Sequence, residues 1–341
     1  MLNNQKPTRI FSVSVFLQIL TITGDMVSFT YRKRRLTMTD LSRKILDSYQ
    51  IRKTKKQKDA FIALMQAHFP ALSIQEKGVP KSRNLILGDP ETAKVVLGAH
   101  YDTCAQLPFP NFIMPKRPLL TIGYSLLILI PMVVLIFLAN WLLNLFTGDA
   151  MVHYWVSLVV YLLFFILLLA GPANKHTAND NTSGVITLLE IYEKLSEEDK
   201  QNVCFVFFDN EEAGLLGSAQ FRKVYKKQMK ETLLINFDCV SDGDHLLFVK
   251  PKNFPEDMAG LLEDAFLPEE GKNMMFESAS RCFYPSDQKH FSRGVGVAAL
   301  KKKKGIGLYM DRIHTKKDTV LMQENLDCLA DGVKRYLDQN R

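Results

Sequence analysis

Apolar residues in this chain follow three patterns. Between residues 40 and 68 they recur at helical spacing, with Leu41, Ile45, Tyr49, Phe61 and Leu64 on one face between lysine-rich ones. Thr39 stands where an N-cap would, so a helix is expected across 40–68, in a domain that begins at Met38. From Asn84 onward, short apolar runs at 85–87, 95–97, 203–208, 233–237, 246–249, 295–300 and 307–310 read as strands. Stretches at 183–195, 215–229, 256–265 and 320–337 read as helices. Strands alternating with helices predict an α/β sheet covered on both faces, and the closely spaced runs near 84–97 and 233–249 suggest that some pairing is antiparallel.

The third pattern is a pair of uncharged stretches, 118–148 and 150–174, separated by Asp149. Each supplies the roughly 20 residues needed to cross a hydrocarbon layer. A tight turn near 147–151 makes them a hairpin with both long ends on one side. Trp141, Tyr154 and Trp155 lie near that turn, where amphipathic rings favour the interface. Lys116 and Arg117 precede the hairpin and Lys175 follows it, against an uncharged or acidic turn. This asymmetry places both ends on the cytoplasmic side of a cell membrane, as a multi-pass protein. The expected organisation is an uncertain N-terminal segment at 1–37, a domain formed by 38–116 and 173–341, and a transmembrane hairpin at 117–172. Within 1–37, the apolar stretch 10–24 after Lys6 and Arg9 resembles a short signal or anchor, without a small-residue cleavage motif.

The net charge of +7 is clustered at 32–35, 50–58 and 301–304. With two apolar spans present, phospholipid headgroups are the expected anionic partner. Nucleic acid is not expected, because no finger spacing, RNP-like strand or basic helix with interleaved aromatics accompanies the charge. Five cysteines, at 104, 204, 239, 282 and 328, are far apart and form no CxxC pair, so neither a thiolate zinc site nor a disulfide framework is implied.

Five polar islands carry the candidate chemistry. His100 ends an apolar run, where its imidazole can reach a metal while Asp102 accepts the other ring N–H. Asp180, within Asn179–Gly184, can share its two oxygens between two cations about 3.5–4 Å apart, although an Asx-rich helix cap explains the same residues. Glu211 and Glu212 follow another apolar run, and adjacent carboxylates there need solvent or cations to offset their repulsion. If Glu212 holds a metal, Glu211 is free to take a proton from water and later deliver it to a leaving amine. Asp238 and His314 complete a set of two histidines and three carboxylates that suits zinc better than calcium.

The series His100-x-Asp102, Asp180-Asn-Thr-Ser-Gly184, Glu211-Glu-Ala-Gly-Leu-Leu-Gly-Ser218, Asn236-x-Asp238 and His314-Thr-x-x-Asp-Thr319 resembles, in this order, the M28 family of zinc aminopeptidases. The resemblance covers roughly 84–340. It implies a three-layer α/β/α sandwich with a mixed central sheet, as in zinc exopeptidases, and two Zn2+ ions. His100 and Asp238 would serve one zinc, Glu212 and His314 the other, and Asp180 would bridge them; Glu211 would be the general base and Asp102 the partner of the histidine. The implied activity is removal of N-terminal residues from peptides or aminoacyl substrates through a dizinc-activated water. Ser286-Asp287-Gln288 departs from the family's common Ser-Asp-His. A related zinc amide hydrolase or glutaminyl-cyclase-like enzyme, and a non-enzymatic membrane receptor or scaffold, are the alternative functions. Phe283, Tyr284, Phe291 and Met310 are the expected contributors to pocket walls.

Overall fold

A computed structural model describes residues 38–340; the segment 1–37, including the apolar stretch 10–24, lies outside the described residues. The chain order is α1 (Asp40–Ser48), α2 (Lys55–His68), β1 (Ser73–Lys77), β2 (Ser82–Leu87), β3 (Val95–His100), α3 (Pro118–Ile128), α4 (Ile130–Leu143) and α5 (Ala150–Ala170). It continues with α6 (Gly184–Lys194), α7 (Glu197–Lys200), β4 (Val203–Phe208), α8 (Leu216–Val224), β5 (Leu233–Phe237), β6 (His245–Lys250) and α9 (Glu256–Ala265). The last elements are β7 (Asn273–Ser278), β8 (Gly294–Lys303), β9 (Gly307–Tyr309) and α10 (Gln323–Gln339).

The sheet runs β1-β2-β4-β3-β5-β8-β6-β7, with β9 attached to β8. Strands β4, β3, β5 and β8 are mutually parallel, whereas β2 pairs antiparallel to β4 and β6 antiparallel to β8. The sheet is therefore mixed, as expected, but neither the two closely spaced runs within 84–97 nor the two within 233–249 pair with each other; the consecutive antiparallel pairs are β1–β2 and β8–β9. Strand β2 passes over β3 to reach β4, and β8 separates β5 from β6.

Alternation along β4 shows how one strand serves two cores. Val203, Phe205 and Phe207 pack with Val185, Leu188 and Leu329, from α6 and α10, on one face. Cys204, Val206 and Phe208 pack with Phe221 of α8 and with Phe291 on the other. Every residue of β4 is buried, which is why its sequence is a continuous apolar run rather than an alternating one.

The expected helix across 40–68 is two helices. Thr39 caps α1 by accepting from the Ser42 amide (3.1 Å), but Thr54 starts α2 with a capping box that includes Gln57. The strands β1 and β7 were not foreseen. They occupy the two edges, where β1 is mostly exposed and β7 half-buried, so neither carries a strong apolar signal. Helix α10 starts at Gln323 rather than near 320, because the Val320 carbonyl and the Met322 amide are both engaged by Ser241 Oγ.

Helices α3 and α4 run almost continuously over Pro118–Leu143 and α5 returns, giving two helices long and apolar enough to cross a membrane. Only 6% of the first span's most apolar window and none of the second's is buried, so this is not the core pair of a soluble domain. Polar groups near the turn face each other: Asn140 Nδ2 donates to Ser157 Oγ (2.8 Å), and His153 Nδ1 lies 2.6 Å from Asn140 Oδ1. Asp149 caps α5 at the Met151 amide. At the opposite end the two strands of the neck are pinned, with Ala105 bridged antiparallel to Ala173 and the Gln106 amide donating to Pro172 O.

Candidate metal centre

Three adjacent parallel strands aim their carboxyl ends at one place. His100 is the last residue of β3, Asp238 follows β5 directly, and Glu211 and Glu212 lie in the turn after β4. Strands about 4.8 Å apart thus bring residues distant in sequence within about 10 Å of each other. Asp180 arrives from the loop before α6. That loop is held by Asp318, which accepts from the amides of Asn179 (2.8 Å) and Asp180 (3.0 Å). Asn181 fastens it to β5 by donating to Phe237 O and accepting from the Cys239 amide. Gly184 is required there, since a Cβ would meet Phe237 O at 2.2 Å.

All of the sequence-derived ligands converge. His100 Nε2 lies 3.4 Å from both Asp180 Oδ1 and Asp238 Oδ1. His314 Nε2 lies 2.9 Å from Asp180 Oδ2 and 3.5 Å from Glu212 Oε2. Asp180 thus gives one oxygen to each imidazole. His314 and Asn210, on the same rim, adopt left-handed backbone (φ 60° and 56°), a conformation that non-glycine residues keep mainly where surrounding structure imposes it.

Asp102 stands beside His100, as expected, and has a second set of partners. Its carboxylate is 3.7 Å from His100 Nδ1, and the Asp102 main-chain carbonyl is the closer acceptor at 3.1 Å. The carboxylate also accepts from the amides of Glu211 (3.0 Å) and Glu212 (3.2 Å), fixing the turn that carries both glutamates. Two residues beyond the end of β3, the side chain lies between the imidazole and the neighbouring β4 turn and reaches both.

Charge here is strongly one-sided. Burial raises Glu211 well above the usual carboxylate range, with Glu212, Asp238 and Asp287 adding to the effect and His100 opposing it. Burial, opposed by His314 and helped by Asp180, brings Glu212 up to about 7. Burial alone would depress His314, yet Glu212 and Asp180 raise it to about 10, and carboxylates including Glu211 likewise hold His100 well above its ordinary value. The cluster calls for positive charge between its imidazoles and carboxylates. Glu212 Oε1 and Asp238 Oδ1 are buried with no hydrogen-bond partner among the described residues, an expensive arrangement unless cations take their lone pairs. Ligands about 2.0–2.1 Å from a tetrahedral zinc lie about 3.3 Å apart, which the imidazole–carboxylate separations match. The donor set fits divalent zinc.

Arg52 and Cys104 are functional neighbours that sequence reasoning missed. Arg52 is fully buried and donates to Tyr101 O, Tyr49 O and Thr182 Oγ1, joining the α1–α2 link to both β3 and the Asp180 loop. Burial lowers its guanidinium to about 10, opposed by Asp102 and Asp180. Its only sequence signal was the Thr54 cap that breaks the helix. Cys104 lies beside the Asp180, Glu212 and His314 donor atoms; nothing in the cysteine spacing could show that. Gln288 donates to Tyr284 O and accepts from Asn236, bracing β5.

A cavity of about 650 Å³ opens on the cluster, lined by Asp102, Glu212, His314, Cys104, Lys58 and, from the hairpin, Leu168. Phe283, Tyr284 and Phe291 line a separate apolar cavity of about 300 Å³ that contains none of the ligands, and Met310 is buried in the core. Tyr284 nevertheless touches the site's frame through a hydrogen bond from its hydroxyl to Asp238 O (3.1 Å).

No curated protein matches the sequence. Among solved structures, the chain is similar to the LapA aminopeptidase of Legionella pneumophila, with 12% identity and a TM-score of 0.51 over 99% of this chain and 76% of that one. It is similar to the glutaminyl cyclase of Porphyromonas gingivalis, at 18% identity and a TM-score of 0.54 over 88% and 96%. A Zn-dependent exopeptidase from Parabacteroides distasonis gives 16% identity and a TM-score of 0.52 over 87% and 94%. These likenesses establish the fold, a mixed α/β sandwich of the zinc-exopeptidase type. The family model for peptidase family M28 matches residues 162–334, just over half of the chain, and that range includes Asp180, Glu211, Glu212, Asp238 and His314. With the sheet order, the converging ligands and this match in agreement, the chain belongs to peptidase family M28.

Proposed function

We propose that the chain is a membrane-tethered aminopeptidase with two zinc ions, one between His100, Asp180 and Asp238 and the other at Asp180, Glu212 and His314. The observation that carries this reading is the division of Asp180's two oxygens between the two imidazoles, each with a further carboxylate at 3.4–3.5 Å. Zinc held there would supply Lewis acidity for the scissile carbonyl and ease ionisation of the attacking water.

The protein's own residues account for the remaining steps. Glu211, half-buried and with its pKa raised, takes the proton from water and returns it to the departing amine. Asp102 keeps Glu211 and Glu212 in register through their amides. The cavity on the cluster has Leu168 of the hairpin in its wall beside Glu212 and His314, and the end of a peptide chain is the substrate this reading assigns to it. The two complete donor groups favour the peptidase over a one-metal cyclase, and the intact ligand set favours an enzyme over a degenerate scaffold.

The hairpin at 117–172 is read as the membrane anchor of a domain comprising 38–116 and 173–341, with both long ends cytoplasmic. Arg117 Nη1 donates to Gly305 O in the β8–β9 turn, which sets the exposed Lys302, Lys303 and Lys304 at the hairpin's foot. Lys116 pairs with Glu277 in the same region. A basic collar at the base suits anionic headgroups and the cytoplasmic face.

The test is metal analysis of full-length protein in detergent, followed by assay of aminoacyl amides and short peptides beside peptides with N-terminal glutamine. Two zinc equivalents with release of N-terminal residues is the expected result. One equivalent with cyclisation of glutamine would assign the cyclase reading instead, and metal-bound protein inactive on every substrate would point to the scaffold.

A further inference from the structure

The two halves of the metal cluster are not equivalent. His100, Asp180 and Asp238 form a three-residue group whose donor atoms lie within 4.8 Å of one another. The other group has four members, because Cys104 joins Asp180, Glu212 and His314 within the same limit. Cys104 is only 4% exposed yet lines the catalytic cavity, so its thiol stands at the boundary between site and neck. The backbone holds it there: Cys104 O accepts from the Asn174 amide (3.2 Å), and Ala105 bridges to Ala173. In the same group, Glu212 Oε1 is a buried oxygen without a hydrogen-bond partner among the described residues.

Building on the dizinc reading, we propose that Cys104 is a ligand, closing a four-residue shell of Cys104, Asp180, Glu212 and His314 around one ion. Closed four-ligand tetrahedral shells are the habit of structural zinc, whereas catalytic zinc keeps a position open for water or substrate. The His100 group, with three protein donors, retains that open position. The centre is therefore asymmetric: one ion is exchangeable with substrate, and the other is a thiolate-anchored strut. A soft sulfur donor also biases the closed position toward zinc and against magnesium, calcium or manganese.

The deciding measurement is X-ray absorption at the zinc edge of full-length wild-type protein in detergent, with metal content determined on the same sample. The expected spectrum contains a sulfur shell at about 2.3 Å with an amplitude of about half a scatterer per zinc. With Co2+ in place of zinc, a thiolate-to-cobalt charge-transfer band should appear in the near ultraviolet and be lost in Cys104→Ser. Competition with a chelator should show Cys104→Ser releasing one of its two ions at least ten-fold more readily while the other is unaffected. Two bound ions with only oxygen and nitrogen around them would overturn the thiolate ligand and leave the dizinc peptidase standing. Wild-type protein that takes up no metal would overturn both. Because the sulfur shell is read on the unaltered chain, misfolding of Cys104→Ser would not shelter the idea.

Discussion

Asp180 is the residue on which the site's symmetry turns, and its own position depends on two amide hydrogen bonds to Asp318. Replacing Asp318 by Asn keeps shape but weakens charge-assisted acceptors; metal affinity should fall by about 10- to 100-fold, measurable by chelator competition, with the fold retained. Glu211→Gln tests the proton carrier. It should bind metal and melt like the parent but lose about 10²- to 10⁴-fold in kcat, and unaltered turnover would remove Glu211 from that part. That the proposed ligands would meet was legible in sequence because each lies near the end of a strand or the start of a helix, where side chains emerge at the sheet's carboxyl edge. The further contact of Asp102 with the Glu211 and Glu212 amides was not, because period and spacing say nothing about which neighbouring turn a side chain will reach. Cys104 was equally hidden: a thiol four residues from a histidine has no spacing signal, and only the folded neck brings it to Glu212 and His314.

Among the elements, the α1–α2 link is the least expected and the most tightly bound to the site. A pattern-based reading extends the amphipathic helix through residues 49–54, but Arg52 leaves the surface to donate to Tyr101 O and Thr182 Oγ1 and lies over the Phe61 ring. The capping box at Thr54 is the local cause of the break, visible in principle, whereas burial of an arginine inside a lysine-rich tract is a tertiary event. Arg52→Met removes all of the guanidinium's hydrogen bonds and leaves Tyr101 O and Thr182 Oγ1 without a donor. It should cost about 3 kcal/mol or more in denaturant unfolding, with metal affinity falling alongside. The hairpin behaves differently. Its neck belongs to the site, since Leu107 N donates to His314 O (2.7 Å) and Asn174 N to Cys104 O, but its spans touch little else. Replacing 118–168 by a short glycine-rich link, which spares Pro172 and Ala173, in a chain that begins at Met38 should yield protein that leaves the membrane fraction and still binds two metals; persistence in the membrane pellet would refute the anchor.

For the whole molecule, a sheet covered on both faces followed from alternation, whereas its mixed character was expected from close runs that do not pair, and strand order was not foreseen. Runs at 84–97 and 233–249 look like hairpins in sequence, but pairing is decided by which apolar faces fit, and β8 comes from far along the chain to lie between β5 and β6. The position of the hairpin's foot beside Lys302–Lys304 predicts topology. In sealed vesicles that keep the cytoplasmic side inward, added protease should leave the chain intact except at the turn around 144–149, and cleavage within 301–304 would reverse the orientation.

Leu168 gives the cavity a wall that belongs to the apolar hairpin. On the proposal that this hairpin is embedded in lipid, the entrance lies beside the membrane plane, so crowding on that plane, rather than bulk concentration, would govern encounter with membrane-bound peptides. Inert lipid added to vesicles at constant enzyme and membrane-bound peptide should therefore slow cleavage in proportion to the surface it adds.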